Sequence, residues 1–340
     1  MDPLKLYEGM YRARAFELAQ AELWRRGLIS GELHLGTGEE AIAAGVTAHV
    51  KKGDGVAVDH RGTPVFALLG VDLVSMLKEV LGREDGLCRG RGGHMHLFSV
   101  EHLAASSGIV GAAPPLAAGF ALAAKRLRPG SVGVAFFGEG AANEGMVMEA
   151  WNLAAAWSLP AIFVCKDNSW SITTMSSSVT GGDIARRAES FGLSVHEADG
   201  LDAMAVWRTA GDAFEAARRG EGPQFLRFTC SRIDGHFLGD PLVRVARRPL
   251  SEGAETLRKS VSAALSRRGG GVVERAAGLV NMMKTLKEAR KVLSGAKEDP
   301  VARGRAGLKM REDELARIEE AIDRGTAEAV EKALAAGEAL

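Results

Sequence analysis

The sequence predicts an α/β fold built on a mostly parallel sheet, and three neighbouring segments carry this prediction. An apolar strand at residues 131–137 is followed by a helical pattern at 143–157 and by a second apolar strand at 161–165. Such a βαβ unit has a right-handed crossover, which brings the C-terminal ends of both strands to one edge of the sheet. Strands and helices also alternate from about residue 55 to 230, as expected for one large α/β domain.

The remaining elements follow from apolar periodicity and from the positions of glycine and proline. Residues 3–26 predict an opening helix, since apolar residues recur at helical spacing until Gly27. In chain order we then expect a helix at 38–50, a strand at 56–58, a long glycine-rich loop at 82–111, a helix at 114–128, a mobile Ser/Thr/Gly-rich loop at 173–182, a helix at 203–219, a strand at 224–230, an arginine-rich loop at 231–248 and a closing helix at 311–340.

Three segments are expected along the chain. The α/β domain takes residues 1–250, with a helical N-terminal extension at 1–50, and a helical C-terminal segment takes 299–340. Between them, residues 251–298 predict a basic helical insertion, with ten Lys/Arg against four Asp/Glu from 254 to 298. Such a run can bind an acidic partner, although a solvated helical face is the commoner explanation.

Composition excludes several classes of protein. Lys and Arg together number 43 and so do Asp and Glu, which leaves a formal net charge of zero and argues against nucleic-acid binding. No apolar run reaches the length of a membrane span, and the first residues do not form a signal peptide, so we expect a soluble, cytoplasmic protein without a membrane partner. The three cysteines lack CxxC spacing, which makes a disulfide framework or a cysteine zinc site improbable.

Polar groups follow both strands of the βαβ unit. Gly138-Glu139-Gly140 comes directly after the first strand, and Asp167-Asn168 follows the second, with 26 residues between Gly140 and Asp167. Glycines and a helix N-terminus bind phosphate through backbone N–H groups. A diphosphate needs further neutralisation, and a small cation with oxygen ligands supplies it. Glu139 and Asn168 therefore predict a magnesium site rather than a zinc site.

This motif, with its 26-residue interval, resembles the thiamine diphosphate motif, and the chain as a whole resembles the alpha subunit of the decarboxylase component of 2-oxoacid dehydrogenase complexes. The similarity runs through nearly the whole sequence. Besides the motif, it covers the segments at 7–10, 38–41, 91–96, 108–112, 152–155, 199–200, 222–223, 232–240 and 299–300, together with Arg14. It implies a doubly wound, mostly parallel sheet of the thiamine diphosphate-binding fold, with helical additions at both ends.

The resemblance also implies roles for individual residues. The metal ligands would be Glu139, Asn168 and the backbone carbonyl of Trp170. The cofactor-binding residues would be His60, Arg61, Gly108, Val110, Gly138, Glu139, Gly140, Ala141, Lys166, Asn168 and His236. Catalysis would involve His236 and Arg232, on the loop that covers the cofactor. The family pattern has tyrosine at His60 and asparagine at Asp167, and Lys166 could offset the added charge of Asp167.

The implied cofactors are thiamine diphosphate and Mg²⁺, and the implied reaction is oxidative decarboxylation of a small-molecule 2-oxoacid. The acyl group would pass to the lipoyl domain of a dihydrolipoyl acyltransferase. The family's second cofactor-binding domain lies on a beta subunit, and this sequence is too short for both domains. We therefore expect an active site completed by a beta subunit in an α2β2 assembly.

Other functions remain open. An acetoin dehydrogenase alpha subunit shares the fold and cofactor, and a non-catalytic or regulatory paralogue would explain His60, Asp167 and the basic insertion. A nucleotide-binding dehydrogenase requires a Gly-x-Gly-x-x-Gly turn after its first strand, which no stretch matches well. A zinc cluster of His60, His94 and His96 is disfavoured, since no acidic or thiol ligand lies at suitable spacing.

Overall fold

A seven-stranded sheet forms the centre of the computed structural model, which describes residues 1–240, 299–308, 311–335 and scattered positions between 258 and 287. The strands of the sheet are β1 (Gly55–Val58), β2 (Phe98–Ser99), β3 (Ala104–Ser106), β4 (Gly133–Gly138), β5 (Ala161–Asp167), β8 (Ser194–Asp199) and β9 (Gln224–Thr229). Their order across the sheet is β2-β3-β1-β4-β5-β9-β8. All neighbours are parallel except β2 and β3. A separate antiparallel pair is made by β6 (Trp170–Ser171) and β7 (Thr174–Met175).

Helices cover both faces of this sheet. They are α1 (Pro3–Arg25), α2 (Glu40–Thr47), α3 (Thr63–Leu68), α4 (Leu73–Val80), α5 (Ala113–Leu127), α6 (Gly145–Ala156), α7 (Ile184–Ser190), α8 (Ala203–Arg218), α9 (Pro300–Gly307) and α10 (Glu312–Ala335). The expected doubly wound α/β fold with helical additions at both ends is confirmed. No helix in the described residues is both long and apolar enough to cross a lipid bilayer.

Alternation along the strands creates two apolar cores. On β4, Val134 and Phe136 face a core shared with α1, α3, α4 and α8, while Ala135 and Phe137 face a core shared with α5, α6 and α7. Successive side chains of a strand point to opposite faces, so a strand buried on both sides is apolar throughout. This explains why β4 and β5 are recognisable as continuous apolar runs.

The terminal helices pack against α1. Arg14 on α1 binds the carboxylate of Asp299, the N-cap residue of α9, through two hydrogen bonds of 2.9 Å, and its Nε lies 2.5 Å from Glu40 Oε1 on α2. Tyr7 donates a hydrogen bond to Glu319 on α10. These contacts join the helical segment after residue 298 to the N-terminal extension.

Several elements differ from their predictions. The helix expected from residue 143 begins at Gly145, because Glu144 has an extended backbone and a short 3-10 turn, Ala141–Asn143, precedes it. The edge strand β8 was not predicted, since its alternating polar residues carry little apolar signal. The short helices α3, α4 and α7 were missed as well, and the loops predicted at 82–111 and 173–182 contain β2, β3 and β7.

Three predictions cannot be compared with the fold. Residues 241–248 of the arginine-rich loop lie outside the described residues, and so does the basic insertion at 251–298 apart from its scattered positions. The division of the chain into three segments remains a prediction.

Candidate functional site

A cavity of about 270 Å³ opens at the C-terminal edge of the sheet. Its walls come from the segments that follow β1, β4 and β5, and from the loops around residues 107–113 and 232–236. The strand order changes direction between β1 and β4, since β3 lies on one side and β5 on the other. Ligands bind at such a switch point in open α/β sheets, because the loops diverge there and leave a crevice.

The three predicted metal ligands lie next to one another. Asn168 donates its backbone N–H to Glu139 Oε2 at 3.3 Å, and its side-chain Oδ1 accepts the backbone N–H of Trp170 at 3.1 Å. Glu139 and Asn168 come together because β4 and β5 are adjacent parallel strands that end at the same level, with Gly138 paired to Lys166. All three residues line the cavity.

Glu139 is a buried carboxylate that a cation would stabilise. Burial raises its pKa to about 7; the hydrogen bond from Ser176 Oγ, at 2.6 Å to Oε1, lowers the pKa, and the charge of Asp167 raises it further. Within residues 1–240, 299–308 and 311–335, no Lys or Arg forms a salt bridge with Glu139. A carboxylate beside an amide is a pair of oxygen donors that fits Mg²⁺.

The two glycines of the motif differ in how close the neighbouring atoms come to them. A Cβ on Gly140 would lie 2.6 Å from Ser171 Oγ, so the turn requires glycine there. A Cβ on Gly138 would meet nothing closer than 4.0 Å, and its backbone has no positive φ. Both glycines and Ala141 line the cavity, where their backbone is available to a ligand.

Arg61 connects two loops of the site. It is 5% exposed, and its guanidinium donates to the carbonyl of Leu35, to the carbonyl of His236 at 2.7 Å and to His236 Nδ1 at 3.3 Å. The Arg61 guanidinium thus positions the His236 loop as well as lining the cavity. His60 lies beside Arg61 and is largely buried. The Nε2 atom of His60 has no hydrogen-bond partner in the described structure. Burial, followed by the charge of Arg61, lowers the pKa of His60 to about 2.

Lys166 and Asp167 point to opposite faces of β5, as successive strand residues do. Lys166 Nζ forms buried salt bridges with Glu39 Oε2 at 2.6 Å and Asp59 Oδ1 at 3.0 Å, and both carboxylates line the cavity. Asp167 instead pairs with Arg227 on β9 at 2.7 Å. Arg227, not Lys166 as expected, therefore offsets the added charge of Asp167.

Two loops close the cavity from outside. Gly108 and Val110 line one side, and Val110 is 56% exposed. On the other side, His236 is held by its backbone N–H, which donates to Asp240 Oδ2 at 2.8 Å, and Arg232 donates to the carbonyl of Ile172 at 2.8 Å. Burial, followed by the charge of Arg61, lowers the pKa of His236 to about 4 and that of Arg232 to about 10. His236 is therefore neutral at neutral pH.

The structure adds three residues to the site that the sequence did not indicate: His34, Glu39 and Ser176, whose Oγ donates to Glu139. His34 and Glu39 precede α2 in an irregular segment without apolar periodicity, so position within the family resemblance is the one signal that could have found them. His94 lies beside His34, with a ring nitrogen pair 3.0 Å apart. The disfavoured trio of His60, His94 and His96 is not assembled, because His96 is exposed, whereas His60 lies beside His34 and His236.

Comparison with known proteins is consistent with this site. The family model "Dehydrogenase E1 component" matches residues 8–259, well over half of the chain. The alpha subunit of acetoin:2,6-dichlorophenolindophenol oxidoreductase from Bacillus subtilis is 40% identical over 70% of this chain and 72% of its own length. The pyruvate dehydrogenase E1 component subunit alpha of Rhizobium meliloti is 38% identical over 71% of this chain and 70% of its own length.

A solved structure shows the same fold. A transketolase mutant from Pichia stipitis superimposes with a TM-score of 0.53 at 17% sequence identity, covering 93% of this chain and 49% of that one. The chain thus spans about half the length of that neighbour. At 17% sequence identity, the match shows the fold alone. The resemblance seen in the sequence is confirmed by the family model and by the relatives: the chain belongs to the dehydrogenase E1 component family and corresponds to its alpha subunit.

Proposed function

We propose that this chain binds the diphosphate and magnesium of thiamine diphosphate and, with a beta subunit, decarboxylates a 2-oxoacid. The observation that carries the proposal is Glu139, a buried carboxylate with a raised pKa, next to Asn168 at the switch point of a parallel sheet. Its burial is costly unless a cation compensates the charge. Family membership supports thiamine diphosphate as the group that brings the cation.

The residues divide into three roles. Glu139, Asn168 and the carbonyl of Trp170 would hold magnesium. His60, Arg61, Lys166, Gly138, Gly140, Ala141 and His236 would bind or position the diphosphate end, Lys166 through the carboxylates of Glu39 and Asp59. Gly108 and Val110, on the opposite wall, would contact the pyrimidine end.

When bound, thiamine diphosphate supplies the electron sink that decarboxylation requires. The chain contributes groups that hold substrate and move protons. His60 and His236 are neutral imidazoles, so each offers one N–H donor and one nitrogen lone pair at neutral pH. Arg232 carries the positive charge on the same wall and can orient a carboxylate.

The site also needs a partner. Ile109, Val110 and Ile172 line the cavity yet are 62%, 56% and 52% exposed, an apolar rim that an isolated subunit leaves in water. A beta subunit covering this rim in an α2β2 assembly would complete the cofactor site and exclude water from it. The acyl group would then pass to the lipoyl domain of a dihydrolipoyl acyltransferase, in the cytoplasm.

Acetoin is a second candidate substrate. Two relatives named as acetoin oxidoreductase alpha subunits are 40% and 41% identical to this chain, slightly above the 38% of a pyruvate dehydrogenase relative. The margin is small, so the substrate must be decided by assay.

Calorimetric titration with thiamine diphosphate and Mg²⁺ tests the proposal. The chain is titrated alone and with a co-expressed beta-like chain, and the assembled protein is assayed with pyruvate, a branched-chain 2-oxoacid and acetoin. We expect binding that Glu139→Ala abolishes and that Glu149→Ala, on the exposed face of α6, leaves unchanged. We expect turnover with the partner only. Absence of cofactor binding in both forms would favour the non-catalytic paralogue.

A further inference from the structure

Three imidazoles from separate segments converge on one wall of the cavity. His34 precedes α2, His60 follows β1, and His236 lies on the loop after β9. Their ring centroids are 4.9 Å apart for His34 and His60, 4.7 Å for His34 and His236, and 5.5 Å for His60 and His236. One ring nitrogen from each lies within 4.8 Å of the other two.

These separations match a metal site with three histidine ligands. A tetrahedral Zn²⁺ binds imidazole nitrogen at about 2.0–2.1 Å, which places the centroids of two ligand rings about 5 Å apart. The three centroid distances lie around that value. In such a site the ring nitrogens approach one another to about 3.4 Å, closer than the present limit of 4.8 Å, so metal binding requires His60 and His236 to turn toward His34, whose ring His94 holds.

Hydrogen bonding shows which ring nitrogens could bind a metal. Each neutral imidazole has one nitrogen lone pair, and that of His236 Nδ1 faces Arg61 Nη2 at 3.3 Å, so a metal on this nitrogen displaces Arg61. The backbone N–H of His34 donates to His94 Nε2 at 3.2 Å, so that nitrogen is an acceptor. His34 Nδ1, at 3.0 Å from the same nitrogen, therefore carries the proton, and the lone pair is on Nε2, which lies 3.9 Å from Glu32 Oε2.

This arrangement is typical of metal-binding histidines. Such a histidine usually donates its second ring nitrogen to a neighbouring acceptor, which fixes the tautomer and the ring orientation. For His34 the acceptor is His94. His60 Nε2 has no partner among the described residues, and a metal would supply one.

Arg61 is the group that opposes a cation here. Its Nη2 lies 3.3 Å from His236 Nδ1, although the same nitrogen has a 2.7 Å bond to the His236 carbonyl, and its Nε lies 4.0 Å from Glu39. A guanidinium this close to His236 favours an anionic fourth ligand, such as hydroxide or chloride, which offsets part of the metal charge.

We propose that His34, His60 and His236 form a binding site for a divalent transition metal, with Zn²⁺ the ion that three imidazoles and one open position fit best. The site is distinct from the oxygen ligands around Glu139. Because His60 and His236 belong to the proposed cofactor site, a bound Zn²⁺ blocks loading of thiamine diphosphate. This consequence rests on the proposed function, whereas the metal site does not.

The test uses the full chain without cofactor, with Co²⁺ as a spectroscopic probe and Zn²⁺ in calorimetry. We expect one Co²⁺ per chain with the intense visible bands of a tetrahedral nitrogen-ligated ion, displaced by Zn²⁺. His60→Ala and His34→Ala should each weaken Zn²⁺ binding by at least about tenfold, and His94→Ala by about tenfold through loss of orientation. His96→Ala, which removes an exposed histidine near the cavity, is the matched control.

Circular dichroism first establishes that each variant is folded, and the glutamine variant at the same position, such as His60→Gln or His34→Gln, replaces an alanine variant that is not. Octahedral Co²⁺ bands, or Zn²⁺ affinity unchanged in both His60 and His34 variants, would overturn the site. Competition is measured by repeating the Zn²⁺ titration with Mg²⁺ and saturating thiamine diphosphate, and with ADP as a chelator control. Zn²⁺ binding unaffected by bound thiamine diphosphate would overturn the blocking role. Failure of thiamine diphosphate to bind would count against the proposed function, and the Co²⁺ spectrum would still decide the metal site.

Discussion

The imidazole rings of His34 and His94 lie nearly parallel, 20° apart in plane with centroids 5.3 Å apart, and a single nitrogen of His94 accepts both the backbone N–H and the Nδ1–H of His34. The two residues are far apart in sequence, one before α2 and the other in the glycine-rich loop. His94 thereby determines which nitrogen of His34 faces the cavity.

Replacing His94 tests this relationship. His94→Ala should release His34 into a mixture of tautomers and lower the free energy of unfolding by about 1–3 kcal/mol, because two buried donors lose their acceptor. Nitrogen–proton correlation spectra of the imidazoles report the tautomer directly. His96→Ala is the control, and a His34 spectrum unchanged in His94→Ala would contradict the assignment.

The pKa of Glu139 predicts a dependence of stability on pH. The unfolded group has a pKa near 4.5, and burial raises the folded value to about 7. The folded state therefore binds the proton more tightly, and the stability from this difference is present below 4.5 and is lost as the pH rises through 7. The loss amounts to about 3 kcal/mol.

Chemical denaturation at about pH 5 and about pH 8 measures this loss. Between these two pH values, the free energy of unfolding of Glu139→Gln should decline by about 3 kcal/mol less than that of the wild-type chain. Glu17, whose pKa burial also raises to about 7, contributes equally to both proteins and cancels in the difference. Mg²⁺ with thiamine diphosphate should remove the part of the wild-type decline that is due to Glu139, leaving the part due to Glu17. Equal decline in both proteins without cofactor would refute the role of Glu139.

The negative charge of Asp167 should contribute to the raised pKa of Glu139. Asp167→Asn removes a negative charge that raises the pKa of Glu139, so that pKa should fall toward its ordinary value. Stability should decrease by about 1–3 kcal/mol, since Arg227 loses its most buried partner. The side-chain carboxyl carbon chemical shift of Glu139, recorded against pH, measures this pKa. Glu197→Gln, which removes a different partner of Arg227, should leave the Glu139 titration in place.

Glu79 should hold the glycine-rich loop in shape. It is fully buried, and its carboxylate accepts the backbone N–H groups of Cys88, Gly90, Gly92 and Gly93 at 2.6–3.2 Å. Glu79→Gln replaces an acceptor oxygen with a donor that faces these N–H groups, and should cost about 2–4 kcal/mol of stability. Hydrogen exchange of residues 86–94 should accelerate. The exposed Glu84→Gln is the control, and unchanged exchange in Glu79→Gln would contradict the prediction.

Lys166 should stabilise the part of the cavity wall that contains Glu39 and Asp59. Lys166→Met removes the cation that Glu39 and Asp59 share and leaves Glu39 with Arg61 at 4.0 Å, which should cost about 3–5 kcal/mol. Burial raises the pKa of Asp59 and the charge of Lys166 lowers it, with a net lowering, so the loss should shrink at a pH low enough to protonate Asp59. Denaturation curves against Lys125→Met, an exposed lysine on α5, measure the effect, and equal stability of the two variants would rule it out.

The sequence by itself determined the βαβ unit, the fold class, the family and the neighbourhood of Glu139 and Asn168. Strands buried on both faces are continuous apolar runs, which makes β4 and β5 recognisable. Parallel strands joined by one crossover end at the same edge of the sheet, so Glu139 after β4 and Asn168 after β5 must lie close together. Local pattern was sufficient for these features. It was insufficient for β8, an edge strand whose side chains are exposed or only partly buried and whose place depends on pairing with β9.

Only the tertiary structure decided which charges pair and which histidines meet. Lys166 and Asp167 are adjacent in sequence, yet the strand turns them to opposite faces, where one meets Glu39 and Asp59 and the other Arg227. His34, His60, His94 and His236 come from four segments without periodicity, and they converge because the loops at the C-terminal edge of the sheet fold over one crevice. Contacts between distant segments depend on packing in three dimensions, which spacing along the chain does not encode.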